Sequence, residues 1–320
     1  REGPDLSAIS GARPGTYPFL LESAAGGPLD RYSLLLRSCG ETLIQHPDGI
    51  LDGPGSGANF LERLDDWYQR EAAAGTAPLD MPFSGGWFLY LGYELVGQIE
   101  PTLELPPADD GLPVALAARC DGAVLIVHGE TDQACLVAEN RAVMAAMEAE
   151  LADIERVTTS PPTVLDQLQA EPAADFERNV ERIKEYLVAG DVFQVNLSRG
   201  WTGRIDGASD PVQVYRQLRS ANPSPFGGFM LHGDRALLSS SPERLVEVRG
   251  RRVQTRPIAG THPRGKDPEQ DRRLAKDMLA HPKEQAEHIM LIDLERNDLG
   301  RVCEAGSVEV DELMVLESYA

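Results

Sequence analysis

Four short segments combine residue types and spacings that could do chemistry. Pro257-Ile258-Ala259-Gly260-Thr261 joins a glycine, which lets backbone approach a ligand closely, to a hydroxyl and an exposed amide suited to a carboxylate. Further on, Glu284 and Glu287 lie in Lys283-Glu284-Gln285-Ala286-Glu287-His288. On a helix they project from one face, a turn apart. Two such carboxylates repel unless a cation or proton lies near. Their hard oxygens suit magnesium, which keeps several waters and bridges to anionic substrate oxygens. Zinc between Glu284 and His288 lacks a second histidine at metal spacing. Ser239-Ser240-Ser241-Pro242-Glu243-Arg244 places Glu243 at a strand end, where burial would make it an acid or base. In Gly190–Ser198, polar Gln194, Asn196 and Ser198 alternate with apolar residues and would share one strand face, either a ligand wall or a buried polar network. Each segment also has a plain structural reading: a Gly-Thr turn, a solvated acidic helix face, and a Glu243–Arg244 ion pair.

The elements that must position these residues follow from pattern. Tyr17–Ser23 and Arg31–Leu36 predict strands, and residues 59–74 predict a helix with Phe60, Leu61, Leu64, Trp67 and Tyr68 at helical spacing. Phe83–Tyr93 is strand-like, and Val114–Leu116, Ala123–His128 and Ala134–Ala138 suggest a meander. Residues 139–154 predict a helix. Residues 1–16 are expected to form a polar, mobile arm. Residues 157–174 hold three prolines and are expected to link residues 1–156 to residues 175–320. Beyond them, Asp175 is a candidate cap for a helix stopped by Gly190, and Val192–Leu197 is expected to be a strand. A short helix at 211–220, strands at 226–231, 236–239 and 245–248, and helices starting at Pro268 and Pro282 complete the pattern. Strands in meanders with interspersed helices predict an α+β fold with large, mostly antiparallel sheets.

Composition narrows the class. The 320 residues suffice for a large core, and 42% hydrophobic with 25% charged residues is ordinary for a globular protein. A net charge of −21 argues against nucleic acid or an anionic membrane as partner. No run of apolar residues is long enough to span a bilayer, and no signal peptide opens the chain, so a cytoplasmic location is expected. Cys39, Cys120, Cys135 and Cys303 fit neither a zinc motif nor a disulfide framework, and are expected to be reduced thiols.

In their order along the chain, GDVFQVNLS, NPSPF, SSSPER, TRPIAGT, KEQAEH, DLERNDLGRVC and VLESYA resemble the chorismate-utilising enzymes, the family of anthranilate synthase component I and aminodeoxychorismate synthase component I. FLLES, DRYSLL and FSGGWFLYLGYE extend the resemblance, more loosely, to the amino-terminal region. The resemblance implies a layered α/β/β/α arrangement, with residues 175–320 the first half of a chorismate-binding domain. The rest of that domain, with a histidine and a second metal-binding glutamate, is expected beyond Ala320. Such enzymes add ammonia to chorismate with Mg2+. Carried over by position, Glu287 is a magnesium ligand and Glu284 an associated carboxylate. Glu243 is an acid/base, Thr261 takes part in catalysis, and Ala259, Gly260 and Thr261 contact chorismate.

Two branches differ in product. Asn196 and DLERNDLGRVCEAGSV look like the aminodeoxychorismate branch, leading to folate and 4-aminobenzoate, and this is the expected one. Ala259 cuts the other way, since some members of that branch have a nucleophilic lysine there. No glutaminase signature surrounds any cysteine, so a separate glutamine amidotransferase subunit is the implied source of ammonia. Leu21, Glu22 and Ser23, with Asn222, Pro225 and Phe226, match segments that bind tryptophan in relatives. A noncatalytic tryptophan-binding subunit is the rival reading.

Overall fold

The computed structural model describes residues 4–27, 30–73, 81–103, 105–152, 154, 163–205 and 210–318. They divide into two compact units, one of residues 1–157 with 218–320, the other of residues 158–217.

The larger unit is built on an eight-stranded antiparallel sheet, as the α+β expectation required. Its path is β10 (Arg235–Ser241), β9 (Phe226–His232), β1 (Phe19–Glu22), β2 (Tyr32–Gln45), β5 (Ala115–Val127) and β4 (Gly86–Leu91). Short β3 (Leu51–Asp52) adds to β2, and β6 (Gln133–Ala138) to β5. The predicted breaks between Leu116 and Ala123 do not occur. Ala115-Leu116-Ala117-Ala118 has no β-branched residue to mark a strand, yet it is fully buried. Alternation explains why small residues suit this stretch. Ala115 and Ala117 face Leu43, Phe60, Trp67 and Leu95, so α2 (Phe60–Ala73) comes close to the strand. Leu116, Ala118 and Cys120 face Phe19, Leu36 and Met230 on the other side. There Phe19 and Phe88 stack with ring centroids 4.2 Å apart.

Pairing of β1 with β9, Phe19 opposite Met230 and Glu22 opposite Gly227, places strands from both ends of the chain in one sheet. The expected division at 157–174 therefore does not match the observed units: residues 218–320 fold with residues 1–157. Hydrophobic spacing reports which face of a strand is buried but not which strand it joins, so the linker signal could not reveal this. Residues 157–162 of that linker lie outside the described residues, and β7 (Leu165–Ala170) occupies part of the remainder. The supposed amino-terminal arm contains α1 (Leu6–Ala12), capped by Asp5 and held by buried Leu6, Ser7, Ile9 and Ser10.

A half-buried ion network ties β2 to β5 and α3 (Arg141–Ala152). Arg37 Nη1 lies 2.8 Å from Asp121, its Nη2 2.8 Å from Glu150, and the Tyr17 hydroxyl donates to Glu150 at 2.8 Å.

In the smaller unit, β7 pairs with β8 (Trp201–Ile205), and α4 (Ala173–Ala189) ends on Gly190 in the left-handed conformation. Asp175 sits in the first turn of α4; the cap position belongs to Pro172, without a side-chain bond. Val192–Leu197 is not a strand, and Gln194, Asn196 and Ser198 are all exposed, so alternation there reflects no paired ladder. α5 (Pro211–Ala221) follows.

Candidate functional site

The segment Thr255–Gly265 follows the hairpin of β11 (Glu247–Arg249) and β12 (Arg252–Gln254) and precedes α6 (Pro268–Ala280) and α7 (Pro282–Gly300). Carboxylates of three residues lie against it, and two of them bond to it. Glu243, just past β10, accepts the Ile258 N–H at 2.8 Å. Glu284 on the first turn of α7 lies against Gly260, whose φ of +73° puts it in the left-handed region open to glycine. Asp271 on α6 takes Arg264 in a two-pronged pair (2.9 and 2.8 Å) and the Gly265 N–H at 2.7 Å. That guanidinium, with the backbone N–H, lowers the Asp271 carboxyl to about 2. A helix cap fixes α6 as well: Asp267 accepts from the N–H groups of Glu269 and Gln270, with Pro268 at the first helical position.

A cavity of about 910 Å³ opens beside this segment, lined by Thr255–Thr261, by the α7 face of His288, Ile292, Glu295 and Leu299, and by residues 307–312 and 314–318. Ala259, Gly260 and Thr261 line it as the sequence suggested, with Thr261 exposed. Glu284 and Glu287 do not line it, and Glu243 instead borders a separate small hollow with Phe226, Arg244 and Ile258. Glu243 is exposed and makes no ion pair with Arg244, which turns to Glu247. The cavity's arginines are matched by acids: Arg252 reaches Asp311 at 3.0 Å, Arg256 reaches Glu317 at 2.8 Å and Glu312, and Arg251 reaches Glu304.

Sequence reasoning passed over two residues that shape the site, Asp271 and Glu295. Burial, followed by the charges of Glu243 and Asp298, raises the Glu295 carboxyl above the usual range, against a lowering influence of the Thr255 side chain. The signal for Glu295 was available: it lies eleven residues beyond Glu284, about three helical turns, and so on the same face.

As a metal site, Glu284 and Glu287 offer two half-buried carboxylates from one helix face. No group of three or more candidate ligands is found among the described residues. Magnesium is commonly held by one or two carboxylates plus substrate oxygens and water, so this donor set fits it.

The second candidate cluster is also assembled. Ser23 Oγ donates to the Pro225 carbonyl at 2.7 Å, and the Ala24 N–H to that of Ser224 at 2.8 Å. Glu22 pairs with Arg219 at 2.8 Å, so its carboxylate is already engaged. Leu21 and Asn222 are exposed, Phe226 half-buried and Pro225 buried. Behind them the Ser23 N–H donates to Ser33 Oγ, itself 2.8 Å from His128 Nε2, while Asp132 lies 3.2 Å from Nδ1. This has the layout of a serine nucleophile relay, but Ser33 is 1% exposed, so no substrate can reach it and the role is structural.

With this geometry in view, comparison with known proteins fixes the class. Residues 34–320 match the family described as chorismate binding enzyme, and the chain belongs to that family. It is 39% identical to anthranilate synthase component 1 of Thermus thermophilus, over 100% of this chain and 70% of the relative. It is 40% identical to an anthranilate synthase component I-like protein of Synechocystis, over 76% of this chain and 50% of the relative. Against aminodeoxychorismate synthase component 1 of Bacillus subtilis the identity is 34%, over 94% and 66%. The chain thus spans between half and seven tenths of the length of these relatives. The crystal structure of anthranilate synthase component I from Streptococcus pneumoniae superposes with a TM-score of 0.74 at 28% identity, covering 91% of this chain and 66% of that one. Among the described residues no helix is long and apolar enough to cross a membrane.

Proposed function

We propose that this chain contributes part of the site of an Mg2+-dependent enzyme that replaces a ring hydroxyl of chorismate with ammonia. The observation carrying this reading is the Thr255–Gly265 segment, bonded by Glu243 and Asp271 and lying close against Glu284, with Ala259, Gly260 and Thr261 lining a cavity. Glu287 with Glu284 would hold Mg2+, which when bound neutralises a substrate carboxylate and fixes the ring. Gly260 and Thr261 would bind a chorismate carboxylate by amide and hydroxyl. Glu243, already a backbone acceptor at Ile258, is the candidate acid/base. Ammonia would come from a glutamine amidotransferase partner.

Of the two products, we favour 4-amino-4-deoxychorismate, on Asn196 and the DLERNDLGRVC stretch. Anthranilate is the second reading. Ala259 supports it, as does the higher identity to the Thermus thermophilus anthranilate synthase than to the Bacillus subtilis aminodeoxychorismate synthase. The cluster of Leu21, Glu22, Ser23, Asn222, Pro225 and Phe226 is proposed as a tryptophan site.

Mass spectrometry of products from chorismate, Mg2+ and ammonium tests this on the full natural protein. A product that keeps the enolpyruvyl group, and gives 4-aminobenzoate only after a lyase is added, supports the first reading. Direct release of pyruvate and anthranilate supports the second. No chorismate consumption overturns both.

A further inference from the structure

The buried relay of Ser33, His128 and Asp132 is closed to substrate, yet it ends on the candidate tryptophan cluster. β1 and β2 are last paired at Leu21 opposite Leu34. Two residues on, past the end of β1, the Ser23 N–H goes to a side chain instead, Ser33 Oγ, at 3.1 Å. On its other side the same stretch is tied to Ser224 and Pro225 by the Ala24 N–H and the Ser23 hydroxyl. His128, just past β5, is the diagonal neighbour of Ser33 across the ladder, because Ser33 stands opposite Ile126. Its Nε2 lies 2.8 Å from Ser33 Oγ.

Counting protons fixes the roles. Ser33 Oγ already accepts from Ser23 and is buried, so its own proton needs an acceptor close by. Among the described residues that acceptor is His128 Nε2. A protonated Nε2 would set two donors on one oxygen and strand the hydroxyl proton. Nδ1 therefore carries the ring proton. Among the described residues it has no hydrogen-bond partner, and the Asp132 carboxylate 3.2 Å away is the charge that favours a proton there.

We propose that His128 is a positioning residue for the ligand of this cluster: by accepting the Ser33 proton it turns the Ser33 oxygen onto the Ser23 N–H, and so fixes Ser23 between β2 and Pro225. The inference rests on the tryptophan reading only for the identity of that ligand. A hydroxyl that donates to His128 is also a stronger acceptor for Ser23, so loss at either end is felt there. Without the ring nitrogen the hydroxyl gives up Ser23 to place its proton elsewhere, and the end of β1 loosens against β2.

Two arms of the test need no ligand. In full natural protein with 15N-labelled histidine, long-range 1H–15N spectra should show His128, assigned by its loss in His128→Gln, with a protonated Nδ1 and a bare Nε2. A protonated Nε2 overturns the inference. Hydrogen exchange at the Ser23 amide should quicken about tenfold in Ser33→Ala and in His128→Leu, and stay slow in His128→Gln, whose carbonyl can take the Ser33 proton. Exchange indifferent to Ser33→Ala overturns it as well. The third arm is tryptophan affinity by calorimetry. Ser33→Ala and His128→Leu should each weaken it about fivefold and the double variant no further, whereas His128→Gln should stay within about twofold of wild type. If His128 only filled space, leucine and glutamine would behave alike; that result, or additive single effects, sinks the proposal. If the tautomer and the exchange pattern are as expected but the wild type binds no tryptophan, the tryptophan reading fails and the positioning of Ser23 by His128 stands.

Discussion

Replacing Gly260 with alanine perturbs the site at one atom. A Cβ there falls 3.1 Å from Glu284 Cδ and 3.4 Å from its Cβ, and nearer still to Oε2. The backbone also sits at φ +73°, which costs an alanine about 1–2 kcal/mol. The stability loss should stay near that figure, because the clashing atoms end a flexible side chain that can swing aside. The functional loss should be larger. Once Glu284 swings off the loop, one of the two carboxylates proposed to hold Mg2+ leaves its place, and disturbing a ligand's support typically costs about 10–100-fold in metal affinity. The assay is Mg2+ affinity by calorimetry, alongside a denaturant titration, for Gly260→Ala, Glu284→Ala and the double variant. If the glycine acts through Glu284, the two effects on affinity must not add, since without the carboxylate there is nothing to displace. Additive effects, or a Gly260→Ala protein with Mg2+ affinity within about twofold of wild type, refute the reasoning.

Three further outcomes are expected. Arg37→Met leaves Asp121 and Glu150 facing a largely buried gap and should cost about 2–4 kcal/mol in urea unfolding, less than a fully buried pair because these side chains keep some exposure. Arg37, by hydrogen bond, holds the Glu150 carboxyl below its usual value of 4.5, so its stabilisation is complete above pH 4.5 and fades as pH falls through the lowered value. Arg37→Met should lose that acid dependence, and an unchanged slope counts against the network. Burial pushes the Cys120 thiol up to about 12 whereas Cys39 is exposed, so iodoacetamide followed by peptide mapping should modify Cys39 in the native protein and Cys120 only on unfolding. Ser23→Ala removes a 2.7 Å buried hydrogen bond to Pro225 and should weaken tryptophan binding about fivefold, roughly 1 kcal/mol, by calorimetry; undiminished affinity argues that the cluster is only strand packing.

What the sequence revealed depended on the range of the interaction. Helices α2, α3, α6 and α7 lie close to their predicted positions because their signals, apolar spacing and first-turn prolines, are local. The joining of β9 to β1 was invisible, since nothing in FLLE or FGGFMLH names its partner. Alternation misled at Val192–Leu197, where the residues alternate but no ladder forms. At the site, Gly260, Glu284 and Glu243 were legible by type and spacing. The eleven-residue spacing put Glu295 on the face of Glu284, but nothing singled it out as half-buried beside the cavity, because in DLERND it looks like any surface acid.

The distribution of charge supplies the last step. Arg251, Arg252, Arg256, Arg264 and Arg296 line the cavity, yet they are paired in turn with Glu304, with Asp311, with Glu312 and Glu317, with Asp271 and with Asp293. Glu243 and Glu284, which touch the ligand-facing segment, have no such ion pair among the described residues. In a chain of net charge −21, an anionic ligand at this segment therefore meets repulsion that its arginines are not free to offset. One carboxylate–carboxylate repulsion at ~5 Å, at the effective dielectric constant of ~20 found near protein surfaces, amounts to about 3 kcal/mol. That is a factor of roughly 10² in affinity. A divalent cation on Glu287 and Glu284 would reverse the sign of that interaction. Chorismate binding to the full natural protein should accordingly weaken by at least about 10²-fold when Mg2+ is replaced by EDTA, at fixed ionic strength and without ammonia so that no turnover intervenes. Affinity within about threefold would mean that some cation of the protein itself takes the carboxylates, and that the arginine pairs seen here open to receive the ligand.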